Sequence, residues 1–262
     1  MSSITRGVLL CALILASLES AHADMYAVSA QFDHNDYREG YGSRNVFGVE
    51  AAGRAGHNRW HLGAAHGERD YGNASYGGTR LNGSLHRQWS GVFSTRTAVA
   101  LSNDNPVFVN HEITQDLHYK VMGKALLTAS GRYAEYYNHS YVSAWSVGAS
   151  YYFPRVTASY RYSKHKLSNG PGGDGSTLSL RLKDAQGRGS SQVWVGTGTS
   201  TYSANVDPLL LRENESSSVF LRRNQPIGEH LMLNFGLGKT WHKTRVDRFT
   251  SLNSHLGLGY HW

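Results

Sequence analysis

Arg80, Arg96, Lys124, Arg132, Arg161, Arg181, Lys183 and Arg222 each lie in a stretch where apolar and polar residues alternate, and each keeps step with the polar ones. A period of two sends successive side chains to opposite faces of an extended strand. These bases therefore share one face, and a ring of Arg and Lys favours anions. Glu50, Glu112 and Asp116 keep the same step but are too few to neutralise them. Two readings follow. The face is a basic lining that selects anionic or sugar-like solutes, or it is a braced interior whose bases pair with acids and conduct nothing.

Other residue types point toward catalysis or metal binding. His165-Lys-Leu-Ser168-Asn169-Gly170 pairs a base with a nucleophile. The two must come within hydrogen-bond reach, yet residues three apart on a strand face opposite ways. A bulge would be needed, and Gly170-Pro171-Gly172 predicts a loop. The stretch loosely resembles the His-x-Ser-Asn-Gly run of outer-membrane phospholipase A, where the pair is two apart, so a lipid-modifying enzyme remains an alternative only. Among 14 histidines the densest group is His57, His61 and His66, which has no recognised ligand spacing and no evident carboxylate partner. The Gly-rich run at 170–175 is not followed by a helix, which a phosphate cradle requires. The expectation is no catalytic residue, no metal and no cofactor.

The elements that must position these residues are strands. Alternating segments of ten or so residues fall near 25–36, 43–54, 59–70, 76–88, 92–102, 107–118, 122–135, 141–153, 155–166, 176–186, 190–201, 214–224, 230–242 and 250–262. Each is about long enough to cross a membrane as a tilted strand. No apolar run after residue 23 approaches the roughly 20 residues of a membrane helix. The apolar face includes Phe47 and Val49, Val107 and Val109, and Leu178, Leu180 and Leu182. The last segment is the clearest. Leu252, Leu256, Leu258, Tyr260 and Trp262 alternate with Asn253, His255, Gly257, Gly259 and His261. Its His255, Gly257, Tyr260 and Trp262 resemble the carboxy-terminal assembly signal of outer-membrane proteins.

Every second connection is short, such as Ala55–Asn58, Tyr119–Val121 and Gly187–Gly189, while Ser163–Ser176 and Tyr202–Glu213 are long. Outer-membrane barrels pair short periplasmic turns with longer extracellular loops. The expected fold is all-β, a single antiparallel transmembrane β-barrel of fourteen strands, or twelve if weak segments merge.

Residues 1–23 read as a secretory signal peptide, with Arg6 before a short apolar core and a small-x-small site at Ala21-His-Ala23. Residues 24–262 would form the barrel domain. The single cysteine, Cys11, lies in the leader, so the exported chain would have no disulfide or thiolate site. A formal charge of +7 could serve nucleic acid, a lumen or outer-leaflet phosphates. Export and the lack of a recognition motif exclude nucleic acid.

Pro106-Val-Phe108, Leu126-Leu-Thr-Ala-Ser-Gly-Arg-Tyr133, Tyr141-Val-Ser-Ala-Trp-Ser-Val-Gly148 and Tyr160-Arg-Tyr162 carry a further likeness in their order of Gly, Tyr and Arg. In this the chain resembles the YaiO family of outer-membrane β-barrel proteins. The resemblance implies a Gram-negative outer-membrane location after Sec-type export and an association with surface-polysaccharide systems. It supplies no catalytic residues. Some relatives carry a helical repeat region, for which this chain has no room, so a periplasmic or glycan-synthesis partner would be separate. The expected function is a non-enzymatic pore or export component for a solute or surface glycan. The alternatives are the lipid-modifying enzyme and a structural or surface-interaction barrel. Expected partners are outer-membrane lipid, lipopolysaccharide and the barrel-assembly machinery.

Overall fold

The computed structural model describes residues 24–168, 172–199, 215–244 and 248–262. The leader with its cleavage residues Ala21 and Ala23, and the long connection at Tyr202–Glu213, lie outside the described residues.

The strands are β1 (Asp24–Tyr37), β2 (Ser43–Ala55), β3 (Asn58–Asp70), β4 (Ser75–Gln88), β5 (Phe93–Ser102), β6 (His111–Val121), β7 (Ala125–Glu135), β8 (Tyr141–Tyr152), β9 (Val156–Leu167), β10 (Gly173–Lys183), β11 (Ser190–Thr199), β12 (Glu215–Ile227), β13 (Leu231–Lys243) and β14 (Arg248–His261). Each pairs antiparallel with its neighbours in sequence, and β1 pairs with β14 to close the barrel. The closing ladder runs from Ala27↔His261 to Tyr37↔Ser251. Closure leaves no open edge, the condition for strands in hydrocarbon.

The lipid face follows the expected phase. Phe32 lies opposite Phe47, Val49 opposite Ala64, Leu178 opposite Val195, and Leu237 opposite Leu221. Aromatic pairs stand near both ends of this face. Tyr133–Tyr141 and Trp145–Tyr162 lie toward one end, with centroids 5.8 and 5.9 Å apart. Tyr151–Phe153 at 4.7 Å and Tyr260–Trp262 at 5.8 Å mark the end that carries both chain termini. Amphipathic rings favour such interfacial depths. The terminus-bearing end is called lower below, and it is periplasmic in the expected orientation.

Some boundaries differ from the expected ones. The sixth strand begins at His111, not near 107, because the preceding loop folds on its own amides. Asn105 Oδ1 accepts from Val107 N at 2.8 Å and Asn103 Oδ1 accepts from Thr79 N at 2.8 Å, the side-chain turns that Asn favours. Val107 and Val109 are therefore loop residues, not lipid-facing strand residues. The next turn is not Tyr119–Val121 but 122–124. Met122 and Gly123 have φ of 50° and 73°, the positive values that a tight hairpin turn uses.

The long loop expected at 163–176 is mostly strand, since Gly173 pairs with His165 and Gly175 with Ser163. Loop lengths also alternate less cleanly than expected. The upper connection at 71–74 is short, and the lower one at 184–189 is longer than its counterparts.

Beyond the ladder with β1, Trp262 N donates to Tyr26 O at 3.3 Å and His261 N to His230 O at 2.8 Å. Deleting Tyr260–Trp262 removes the lowest rungs of the closing seam. Refolded into liposomes, the truncated chain should yield a smaller fraction of heat-modifiable barrel on semi-native gels. An unchanged fraction would show that closure does not depend on these residues.

Candidate functional site

The lumen phase places the expected basic and acidic residues as follows. Arg80, Arg96, Arg132, Arg161, Arg181 and Arg222 lie on the lumen face of β4, β5, β7, β9, β10 and β12, as their ladder partners require. Lys183 is the last residue of β10, at the lower rim. Lys124 is a correction. It sits in the turn at 122–124, because the positive-φ pair above shifts the hairpin past the position where alternation would have turned it inward. Glu50, Glu112 and Asp116 face the lumen on β2 and β6.

Sequence reading missed Asp33, Arg44 and Arg69, which share this face on β1, β2 and β3. Their positions next to turn signals hid them, although their phase was legible.

One wall is braced. Glu112 takes Arg132 Nε at 2.8 Å and Arg80 at 3.3 Å. Asp116 takes Arg96 at 3.3 Å and accepts from Ser130 Oγ. Glu50 accepts from Gln31 at 3.3 Å, and Asp33 meets His255 Nδ1 at 2.7 Å. The four acids thus lie on β1, β2 and β6, with most of the bases they engage close by.

The lumen phase of β8–β14 carries no carboxylate among the described residues, yet it holds Arg161, Arg181, Lys183 and Arg222. Arg161 makes no hydrogen bond or ion pair among the described residues. Arg181 Nε donates to Ser190 Oγ at 3.1 Å. The Nε of Arg222 is enclosed without a hydrogen-bond partner.

The walls also differ in bulk. The connection at 103–110 turns into the barrel, where Val107 and Phe108 are 1% and 6% exposed and cluster with Val46. They sit against Gly67 of β3, and Asn105 lies over Gly78 of β4, its ladder partner. Arg44 lies over the Phe108 ring at 5.3 Å. Beside them Arg69, fully buried, is held between the rings of Tyr37 and Tyr71 at 4.0 and 4.4 Å. Phe249 stacks on Tyr41 and His242, each at 4.4 Å. The upper half of the lumen on β1–β4 and β13–β14 is therefore filled.

The facing wall is made of small residues. One row reads Ser130, Ser146, Ser163, Gly175, Gly198 and Ser216 across β7–β12. It lines a cavity of about 470 Å³ that also includes Arg132, Arg161 and His165.

His165 lies in the lumen phase against Gly173, whereas Ser168 extends the β8–β9 ladder through Tyr141. Tyr141 N donates to Ser168 Oγ at 3.1 Å. The two side chains thus take opposite phases, and no bulge brings them together. His61 is in the lumen phase, His66 meets Thr79 on the outer face, and His57 is in a turn. No group of potential ligands gathers at metal-binding distance among the described residues.

A family model of the YaiO membrane β-barrel domain matches residues 26–203. The chain belongs to this family. Among solved structures, the barrel of this family member is similar to the CymD monoaromatic hydrocarbon channel, with a TM-score of 0.62, 7% identity, and coverage of 91% of this chain and 88% of that one. A bacterial polysaccharide outer membrane secretin gives 0.57 at 9% identity, covering 90% and 98%. An anion-selective porin from Comamonas acidovorans gives 0.51 at 10%, covering 92% and 100%. At these identities the likeness is one of fold, a membrane β-barrel of the outer-membrane porin and channel type.

Several cations toward the strand ends take the outward phase, among them Arg87 and Lys239. Arg223 takes the lipid phase near the lower end, where its guanidinium donates two bonds of 2.6 Å to Asp184 and one of 2.7 Å to Gln225. The pairing offsets the cost of a base on the lipid side, which falls toward the interface. Arg223 holds the Asp184 carboxyl below its usual range, chiefly through these hydrogen bonds. A depressed folded value means that the pair stabilises the barrel above the ordinary carboxylate range and loses that effect as pH falls below about 4. Asp184→Asn should lower the urea midpoint at pH 7, and the gap from the parent should close as pH falls. A gap that stays constant with pH would assign the loss to packing.

A Cβ added at Gly67 would lie 2.8 Å from the Phe108 ring and 2.9 Å from Val107. Burial of those two side chains is worth about 1.5–3 kcal/mol each. Gly67→Val should release the 103–110 loop and expose it to limited proteolysis while the barrel stays heat-modifiable. Continued protection would show that the loop docks by other contacts.

Proposed function

We propose that this barrel is a non-enzymatic conduit that passes anionic hydrophilic solutes through the Gram-negative outer membrane. The observation that supports it is the wall of β8–β14, whose lumen phase carries no carboxylate among the described residues and on which Arg161, Arg181 and Arg222 face the lumen without an acid partner among them. Unpaired bases lining a low-dielectric passage raise the local anion concentration and repel cations. Bases paired with Glu112 and Asp116 contribute little to such a field, so selectivity rests on the other wall.

In this reading the exported chain meets the barrel-assembly machinery through His255, Gly257, Tyr260 and Trp262. It then sits among lipid and lipopolysaccharide and works with a separate periplasmic or glycan-synthesis partner.

Single-channel recording of the refolded barrel in planar bilayers tests the proposal. Steady openings with an anion-preferring reversal potential are expected. Arg161→Gln and Arg222→Gln should each move that potential toward zero, whereas Arg87→Gln, on the outer face, should not. A silent bilayer from a heat-modifiable barrel, or cation preference, would overturn the conduit.

A further inference from the structure

Between the bases of the β8–β12 wall lies a pair of aromatic rings. Trp194 of β11 and Phe220 of β12 are ladder partners in the lumen phase, with centroids 5.7 Å apart. The Phe220 ring spreads over Gly236 and Gly238 of β13, where added Cβ atoms would strike it. Glycine at those positions lets a large ring lie low on the wall.

The rows around the rings have a definite order. The row above the rings carries Arg161, Thr177, Gly196 and Ser218. The row below carries Arg181, Gln192 and Arg222. Four residues of β10 separate the two basic rows, about 13 Å at a strand's rise. Arg181 and Arg222 stand two strands apart, roughly 10 Å, with Gln192 between them. Above lies the recess of about 470 Å³ walled by hydroxyls and glycines. A second cavity of about 400 Å³, which Arg181 lines, lies toward the lower end.

We propose that this wall is a binding track for an acidic saccharide, a sugar chain bearing carboxylates. Each component matches one part of that ligand. Aromatic rings present an apolar platform to the C–H face of a pyranose. Serine, threonine and glutamine side chains exchange hydrogen bonds with its hydroxyls. Guanidinium groups above and below the rings engage its carboxylates, the pairing for which Arg geometry is suited. The orphan Nε of Arg222 is a donor already desolvated and lacking an acceptor. A free inorganic anion would use the guanidinium groups but leave the ring platform idle. A neutral sugar would use the rings but leave the bases unmatched.

The inference rests on the anion-conduit reading for the ligand's way into the lumen. Its test needs no conduction. Isothermal titration of the full folded barrel in detergent would compare a galacturonic acid trimer, maltotriose and inorganic phosphate. Saturable binding of the acidic trimer is expected, at least about tenfold tighter than either of the others. Trp194→Ala and Arg222→Gln should each weaken the trimer about tenfold, with heat-modifiability intact. Trp194→Tyr should restore most of the affinity, a rescue that mere structural support by the indole would not give.

Absence of saturable trimer binding would overturn the track. So would equal binding of trimer and phosphate that ignores Trp194→Ala, or equal binding of trimer and maltotriose. A barrel that conducts but does not bind the trimer would sink the track alone. One that binds the trimer but is silent in bilayers would sink diffusion and keep the track.

Discussion

The constraint on which the structure depends is that no backbone N–H or C=O can go unpaired in hydrocarbon. For a chain made of strands, this demands that the last strand find the first, and here β14 and β1 pair along nearly their whole length. The closed ladder fixes each residue as outward or inward, because a slip of one register place would turn every leucine of a strand into the lumen. Mid-strand charges then have one place to go. An Arg at the lipid midplane costs about 2–4 kcal/mol, and Arg96, Arg132, Arg161 and Arg181 all point inward. Arg223 escapes the rule near the lower interface, where that cost falls and Asp184 and Gln225 occupy its guanidinium.

Closure leaves the lumen free to be uneven. Its filled side is built from long-range contacts between small and large residues. Gly67 and Gly78 are ladder partners that leave a notch in the wall, and the inward loop brings Val107, Phe108 and Asn105 to fill it. The open side is built by the reverse choice. Serine and glycine dominate its rows, and glycines flatten even Phe220 against β13. The shape of the lumen is thus a matter of where glycines receive a neighbour and where they receive none.

Much of this was legible in sequence because period two is a local property. The fourteen strands, the closing strand and the inward phase of the mid-strand arginines all follow from alternation read ten residues at a time. What escaped depends on partners distant in the chain. Val107 and Val109 keep step with the apolar face of β6, and nothing within ten residues reveals that Gly67 and Gly78 leave space for a loop. The hairpin after β6 moved because Met122, an unexpected residue for a positive φ, takes one beside Gly123. Asp33 and Arg44 had a readable phase, but their proximity to the first turn disguised it. Lys124 shows the opposite error, since alternation was carried back before the point where the strand begins, at Ala125.

The two readings of the basic lumen, bracing and selection, need not compete, because acid-paired and acid-free bases lie on different walls among the described residues. On β4–β7 two acids engage three arginines in part-buried ion pairs. Their effect is to cancel field and hold side chains against that wall. On β8–β12 the same residue type stands without acid partners among the described residues, so in the conduit reading its charge stays available to whatever enters. A barrel that needed only rigidity would gain nothing from guanidinium groups there, because the ladder already satisfies the backbone and self-repulsion between like charges opposes folding. The proposed conduit gives Arg161, Arg181 and Arg222 a role that the barrel's own stability does not require. The glycines around Trp194 and Phe220 place two rings where such a visitor would touch them.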